Sequence, residues 1–421
     1  MRYTLPLFLT QYNTTQDQAT NMSTESSAFP GRAQTKPGFR TGQVLTLTAA
    51  HFVHDVFSSF LAPFLPLIID KLSLSLALAG SLAMYQRLPS VINPFIGVLA
   101  DRVDLRLFII LAPGVTAVGM SLLGMAPSYA VLAILLLAAG LSSAAFHVPG
   151  PALVARISGG QVGKGMSFWM TAGELARSVG PLVAVGAVSL LTLEGVWPLM
   201  IVGIAASVLI YTRVKDIALQ RTPQAQHSLG QTWRAMRHVL LPLSGIIVAR
   251  GFMAGSLTSF LPTFFKTEGQ SLWFGGMALA LLEFSGALGA LLAGTLSDRV
   301  GRRWVLAGAM VTGPLFMAGF LAATGWLALP LLVLMGLTIF STTPVIMAMV
   351  QDHAGEHPAT ANGLYMGTNF VTGAVVPPLV GALADLVGLR TAFAWSAILA
   401  LAGLPLIFAL PRDSRGVSRD V

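Results

Sequence analysis

Twelve runs of roughly twenty apolar residues, separated by short polar loops, constrain this chain more than any other feature. They cover approximately 43–69, 77–100, 106–126, 129–155, 165–190, 195–212, 238–265, 272–296, 304–324, 328–350, 359–385 and 390–410. A backbone that crosses a bilayer must satisfy its own N–H and C=O groups, so segments of this length fold as helices. The composition agrees: 54% of the 421 residues are hydrophobic and 10% are charged, against about 25% charged in a typical soluble domain. The expected fold class is an all-α membrane protein of twelve transmembrane helices in two six-helix halves.

The polar segments divide the chain further. Residues 1–42 are rich in Gln, Thr, Ser and Asn and read as a disordered tail, within which Met22 is an alternative start to Met1. The halves are 43–212 and 238–410, joined by a linker over 213–237 and followed by a tail over 411–421. In the linker, Trp233–His238 suits a short amphipathic helix on the membrane surface, or a plain connector. Alternate loops differ sharply in charge. One set, with both termini, holds Arg102, Arg106, Arg156, Lys164, Arg213, Lys215, Arg299, Arg302 and Arg303 among others; the opposite set holds only Lys71, Lys266 and Arg390. By the positive-inside rule both termini face the cytoplasm. The net charge of +8 belongs to this asymmetry and gives no reason to expect nucleic acid as a partner. The absence of cysteine excludes disulfides, thiolate metal sites and cysteine nucleophiles.

A charged loop recurs about 200 residues apart, as Gly97-Val98-Leu99-Ala100-Asp101-Arg102 and Gly294-Thr295-Leu296-Ser297-Asp298-Arg299, the latter continuing Val300-Gly301-Arg302-Arg303. Such a repeat suggests two membrane halves descended from one unit. The second copy fits the G-x-x-x-D-R-x-G-R-[RK] motif of major facilitator superfamily transporters, which the chain resembles over residues 43–410. The first copy departs from it, with Asp104 in place of glycine and Leu105 in place of arginine. An aspartate at a helix end can accept hydrogen bonds from a neighbouring helix N-terminus, and the arginines can meet carboxylates or lipid phosphates. Gly381-Ala382-Leu383-Ala384-Asp385 is a looser echo. Within the superfamily, His51-Phe52-Val53-His54-Asp55, Ala62-Pro63-Phe64-Leu65-Pro66-Leu67, Phe146-His147-Val148-Pro149-Gly150-Pro151 and Gly180-Pro181 resemble the fosmidomycin-resistance type of drug efflux protein.

That resemblance implies a multi-pass protein of the bacterial inner membrane. It would be a monomer that binds protons and a small-molecule substrate, and it needs no cofactor. The implied activity is proton-coupled efflux, by antiport and alternating access, of a drug-like or anionic compound such as a phosphonate antibiotic. Proton-coupled import of an organic anion is the alternative, and a polytopic membrane enzyme a remote one. Gly97, Asp101, Arg102, Gly294, Asp298, Arg299, Gly301, Arg302 and Arg303 would form the gating motif.

Ionisable residues inside spans are costly and mark functional positions. Here they are His51, His54, Asp55, Arg87, His147, Glu174, Arg177, Arg250 and Glu283. At 3.6 residues per turn, His51 and Asp55 fall about 40° apart on one face. Asp55 is the first candidate for proton coupling, with His51, Glu174 and Glu283 beside it. A rival reading has His51, His54 and Asp55 holding a metal ion; no metal is expected. Glu174 and Arg177, at i and i+3, can pair, and Arg250 and Glu283 can pair across helices within the second half. Arg87, Gln86, Arg177, Arg250, Asn369 and His147 are the candidate substrate contacts. His147 also reads as a packed, hydrogen-bonded side chain at a proline-broken helix. No phosphate loop, dinucleotide fingerprint, nucleophile elbow or zinc-protease helix is present, so the chain is not expected to be an enzyme.

Overall fold

The computed structural model of the chain describes residues 38–93, 95–96, 99, 103–217, 229–355 and 358–411. It is all-helical among these residues, as the apolar runs require. The first half contains α1 (Thr41–Ser58), α2 (Leu61–Leu72), α3 (Leu76–Arg87), α4 (Arg106–Ser121), α5 (Tyr129–His147), α6 (Gly150–Ile157), α7 (Val162–Gly195) and α8 (Met200–Val214). The second contains α9 (Leu229–Thr267), α10 (Leu272–Val300), α11 (Arg302–Ala322), α12 (Ala328–Ile339), α13 (Thr342–His353), α14 (Pro358–Val387), α15 (Leu389–Leu401) and α16 (Leu404–Ala409). Eleven described stretches are long and apolar enough to cross a membrane. The second of the twelve apolar runs begins as α3 and a 3₁₀ turn over Leu88–Ile92, and part of its remainder lies outside the described residues.

Several spans are broken where the sequence supplies a reason. The first bends between α1 and α2, just ahead of Pro63 and Pro66. The fourth breaks between α5 and α6 at Val148–Pro149, and the tenth between α12 and α13 at Phe340–Ser341, just before Pro344. The fourth span of each half thus breaks alike, as a duplicated unit should. Ser75, Ser128 and Ser271 cap α3, α5 and α10 by accepting from Leu78, Val131 and Phe274 N–H groups, so serine marks these helix starts. The linker differs from expectation. Helix α9 begins at Leu229 and runs unbroken into the seventh span, so Trp233–His238 is its first part and no separate surface helix exists there.

The two halves meet chiefly through α3 against α14 and α7 against α10, with α2 against α9. Lipid offers apolar side chains no reason to leave it, so such contacts depend on close packing by small residues. A Cβ on Gly80 would sit 2.3 Å from the Pro377 carbonyl oxygen, and one on Gly381 would sit 2.1 Å from that of Leu76. The α3–α14 seam therefore closes backbone on backbone, at the end far from the described termini. Lys266 of α9 ties the neighbouring α2–α9 contact, donating to the Pro66 carbonyl and pairing with Asp70. Towards the near end, Gly363 and Gly367 on α14 face open space.

Candidate substrate and ion site

The first cluster is built on α1 and closed by α5 and α7. His51, His54 and Asp55 are all buried. The His51 ring stacks on Trp169 of α7 at 3.9 Å between centroids, and its Nδ1 lies 2.9 Å from the Trp169 carbonyl oxygen. A carbonyl only accepts, so this Nδ1 carries the hydrogen and the neutral ring leaves Nε2 as an acceptor. His147 is held similarly: its Nδ1 lies 3.0 Å from the Ser143 carbonyl one turn back and 3.2 Å from the Ser143 hydroxyl, where Pro149 and Pro151 interrupt the span. The two Nε2 atoms are 3.2 Å apart. Asp55 lies between them, with Oδ2 3.2 Å from His51 Nε2 and Oδ1 3.3 Å from His147 Nε2.

His54 does not join that convergence. It stacks on Phe146, bonds Asp55 Oδ1 through Nδ1 at 2.8 Å, and meets the Thr116 hydroxyl through Nε2 at 3.1 Å. Thr116 bonds Ser142, which donates to the Ala112 carbonyl. The three-residue metal reading of α1 alone is thereby corrected: helical geometry turns His54 towards α4, and the third group facing His51 and Asp55 comes from α5. Gly173 makes the approach of α7 possible, since a Cβ there would sit 2.9 Å from His51 Cε1 and 3.2 Å from Asp55 Oδ2.

A cavity of about 470 Å³ opens beside this cluster, lined by Asp55 and His147 on one side and by Gln86, Arg87, Arg177, Thr258, Glu283 and Asn369 on the others. Glu174 and Arg177 pair within α7 as their spacing predicts. Arg177 also faces Glu283 of α10, Nε to Oε2 at 3.8 Å, across the two halves. The expected pairing of Arg250 with Glu283 is not made. Arg250 bonds Asn369 of α14 at 3.2 Å, and its Nε has no hydrogen-bond partner among the described residues. The reason is the seam: bringing α7 against α10 puts Arg177 nearer Glu283 than its own half's arginine.

Arg87 sends its guanidinium across the seam to the Gly373 carbonyl at 3.2 Å and towards the Thr258 hydroxyl at 3.5 Å. It makes no ion pair among the described residues. Gln86 lines the cavity and also supports the bend in the first span. It donates to the Ser58 carbonyl at 2.7 Å, one of the groups freed by the break after α1. Thr258, Ser58 and Ser59 also line the cavity. Sequence reasoning missed them because hydroxyls inside helices usually bond their own backbone.

Of the gating motif, Gly97, Asp101 and Arg102 lie outside the described residues. The second copy is well defined. Gly301 turns the chain at φ +102°, a conformation suited to glycine. Arg302 meets Asp352 at the end of α13 at 2.5 Å and Asp298 at 3.5 Å. Arg303 donates to the Ile407 and Phe408 carbonyls at the end of α16, where a cation suits the helix dipole. Arg299 lies in the last turn of α10, and a Cβ on Gly294 would meet nothing. Among the described residues, a carboxylate that bonds a neighbouring helix N-terminus is Asp385, in the looser echo, which accepts from Leu76 and Ala77 N–H.

The Major Facilitator Superfamily model matches residues 47–375 and 275–420. The chain belongs to this superfamily. Over 406 residues it is 23% identical to the fosmidomycin resistance protein of Escherichia coli (strain K12), covering 92% of this chain and 98% of that one. It is 26% identical to the uncharacterized MFS-type transporter YfnC of Bacillus subtilis (strain 168), covering 90% and 95%. Among solved structures, a bacterial homolog of the human lysosomal transporter Spinster, in an inward-facing and occupied conformation, aligns with a TM-score of 0.76 at 14% identity, over 88% of this chain and 96% of that one. The nucleoside transporter NupG (D323A mutant) aligns at 0.73 and 13%, over 87% and 99%. Three of these four are named as transporters, and by its superfamily the chain is a multi-pass membrane transporter, not an enzyme.

Proposed function

We propose that this transporter exports small organic anions, phosphonates among them, across the bacterial inner membrane in exchange for protons. Arg87 carries the anion part of the reading. An arginine within a span is costly unless paired, and this one, partly buried, meets a carbonyl and a hydroxyl at the cavity but no carboxylate among the described residues. A phosphonate or carboxylate fits the planar guanidinium in bidentate geometry. Similarity along most of the chain to a protein named for fosmidomycin resistance supports export.

Proton coupling rests on Glu283. The charged groups acting on it are Arg177 and Glu174 of α7 and Arg87 of α3. With Glu283 ionised, Arg177 is held between two carboxylates; with Glu283 protonated, Arg177 is left to Glu174. An exchanger would carry the anion on one stroke and the proton on the return. With both termini on the cytoplasmic side, the reading the loop charges support, the closed seam at the far end would belong to a state open to the cytoplasm.

One feature favours the alternative, import of an anion with a proton. An anion that takes Arg177 from Glu283 makes that carboxylate bind a proton more readily, so the two ligands would bind together. Proteoliposomes of known orientation separate the readings. Export by exchange requires fosmidomycin to move against the proton flux; movement in the same direction supports the importer. Transport of cations or neutral drugs alone would reject both.

A further inference from the structure

We propose that His51, Asp55 and His147 form a binding site for one divalent first-row transition-metal ion, with an open coordination position facing the cavity. This goes beyond the anion-transport reading and does not depend on it.

Three observations carry it. The first is that only acceptors converge. Both histidines can place their Nδ1 hydrogens on carbonyl oxygens, of Trp169 and Ser143, so that with neutral rings two Nε2 lone pairs and a carboxylate face one another, His51 and Asp55 buried and His147 half-buried. Such a group is repulsive unless a proton or a metal cation lies among its members. The second is the spacing. The Nε2 atoms are 3.2 Å apart, and each faces its own Asp55 oxygen, Oδ2 at 3.2 Å from His51 and Oδ1 at 3.3 Å from His147. Charge-assisted hydrogen bonds are shorter, at about 2.7–2.9 Å. Bonds of about 2.0–2.1 Å to a tetrahedral ion would put ligand atoms about 3.3–3.4 Å apart. The third is the support around the ligands. A metal-binding histidine characteristically gives its other N–H to a carbonyl or carboxylate, and ligating carboxylates are themselves hydrogen-bonded. Here both histidines do the former, and His54 bonds Asp55 Oδ1 at 2.8 Å.

Two imidazoles and a carboxylate suit Zn²⁺, Co²⁺ or Ni²⁺ better than Mg²⁺ or Ca²⁺, which prefer oxygen. Asp55 and His147 both line the cavity, so the remaining position would take water or an oxygen of an anionic cargo.

The test uses the full-length protein in detergent, purified with a tag free of histidine and stripped with chelator. Titration with Zn²⁺ by calorimetry should give one high-affinity site per chain. Co²⁺ should give the intense visible absorption of a tetrahedral complex. His147→Gln and Asp55→Asn should each abolish the site, and His54→Gln, which removes no ligand but loses the ring that bonds the ligating carboxylate, should weaken it by about 10-fold. His353→Gln, far from the cluster, should change nothing. A wild type that binds no Zn²⁺ stoichiometrically, or a Co²⁺ complex with only weak octahedral absorption, would overturn the site. So would undiminished binding by folded His147→Gln protein. Should a variant fail to fold, the wild-type stoichiometry and spectrum decide alone.

Discussion

The Asp385 carboxylate accepts hydrogen bonds from the backbone N–H of Leu76 at 2.7 Å and of Ala77 at 2.9 Å, joining the end of α14 to the start of α3 across 309 residues of sequence. The first N–H groups of a helix have no partner within it, and the helix dipole favours an anion there. Ser75 caps Leu78 from within the chain, and Asp385 satisfies two further donors from the opposite half. Because this cap spans the halves at the far end, it exists only while that end is closed.

Asp385→Asn should therefore bias the protein towards opening at the far end. A lost cap costs about 0.5–2 kcal/mol, enough to shift a two-state population by a few-fold or more. The chain has no cysteine, so spin labels on Leu78→Cys and Leu386→Cys report the distance directly. A distance distribution unchanged by Asp385→Asn would contradict the assignment.

Gly80→Ala should have a larger effect of the same sign. The added carbon would sit 2.3 Å from the Pro377 carbonyl oxygen and 2.8 Å from Pro378 Cα, both backbone atoms that cannot rotate away. Overpacking of this kind costs about 1–3 kcal/mol. The variant should insert and fold but transport poorly. Wild-type turnover would show that the seam has room for a methyl group.

Glu283→Gln should uncouple transport from protons. Under one-for-one exchange, a gradient of one pH unit supports roughly tenfold accumulation; in the variant the ratio should fall towards unity. Anion exchange between compartments of equal pH should persist, because Arg87 is untouched. Retained proton-driven accumulation would remove Glu283 from the mechanism.

In the charged loop, Asp352→Asn should destabilise more than Asp298→Asn. Arg302 is buried and lies 2.5 Å from Asp352 but 3.5 Å from the exposed Asp298. A hydrogen bond to a charged group contributes about 1.5–3 kcal/mol, an exposed ion pair about 0.2–1 kcal/mol. Thermal melts in detergent compare them. Asp298→Asn should lower turnover more than substrate affinity, since it lies in the loop and not in the cavity lining; weakened binding at unchanged turnover would reverse that view.

The sequence by itself determined what covalent proximity determines. Apolar runs long enough to cross a bilayer must be helical, because nothing in lipid hydrogen-bonds a bare backbone. Serines before α3, α5 and α10 cap them locally. Glu174 and Arg177 pair because one helical turn brings i and i+3 together, and His51 and Asp55 share a face for the same reason. The same periodicity turns His54 away, which the one-dimensional pattern allowed but did not require. Only the tertiary structure decided which helices meet. His147 joins His51 and Asp55 because α5 packs beside α1, Glu283 faces Arg177 and not Arg250 because α7 meets α10, and Asp385 reaches Leu76 because glycines let α3 and α14 touch. Those choices rest on shape complementarity between surfaces made of many residues, and no short motif encodes that.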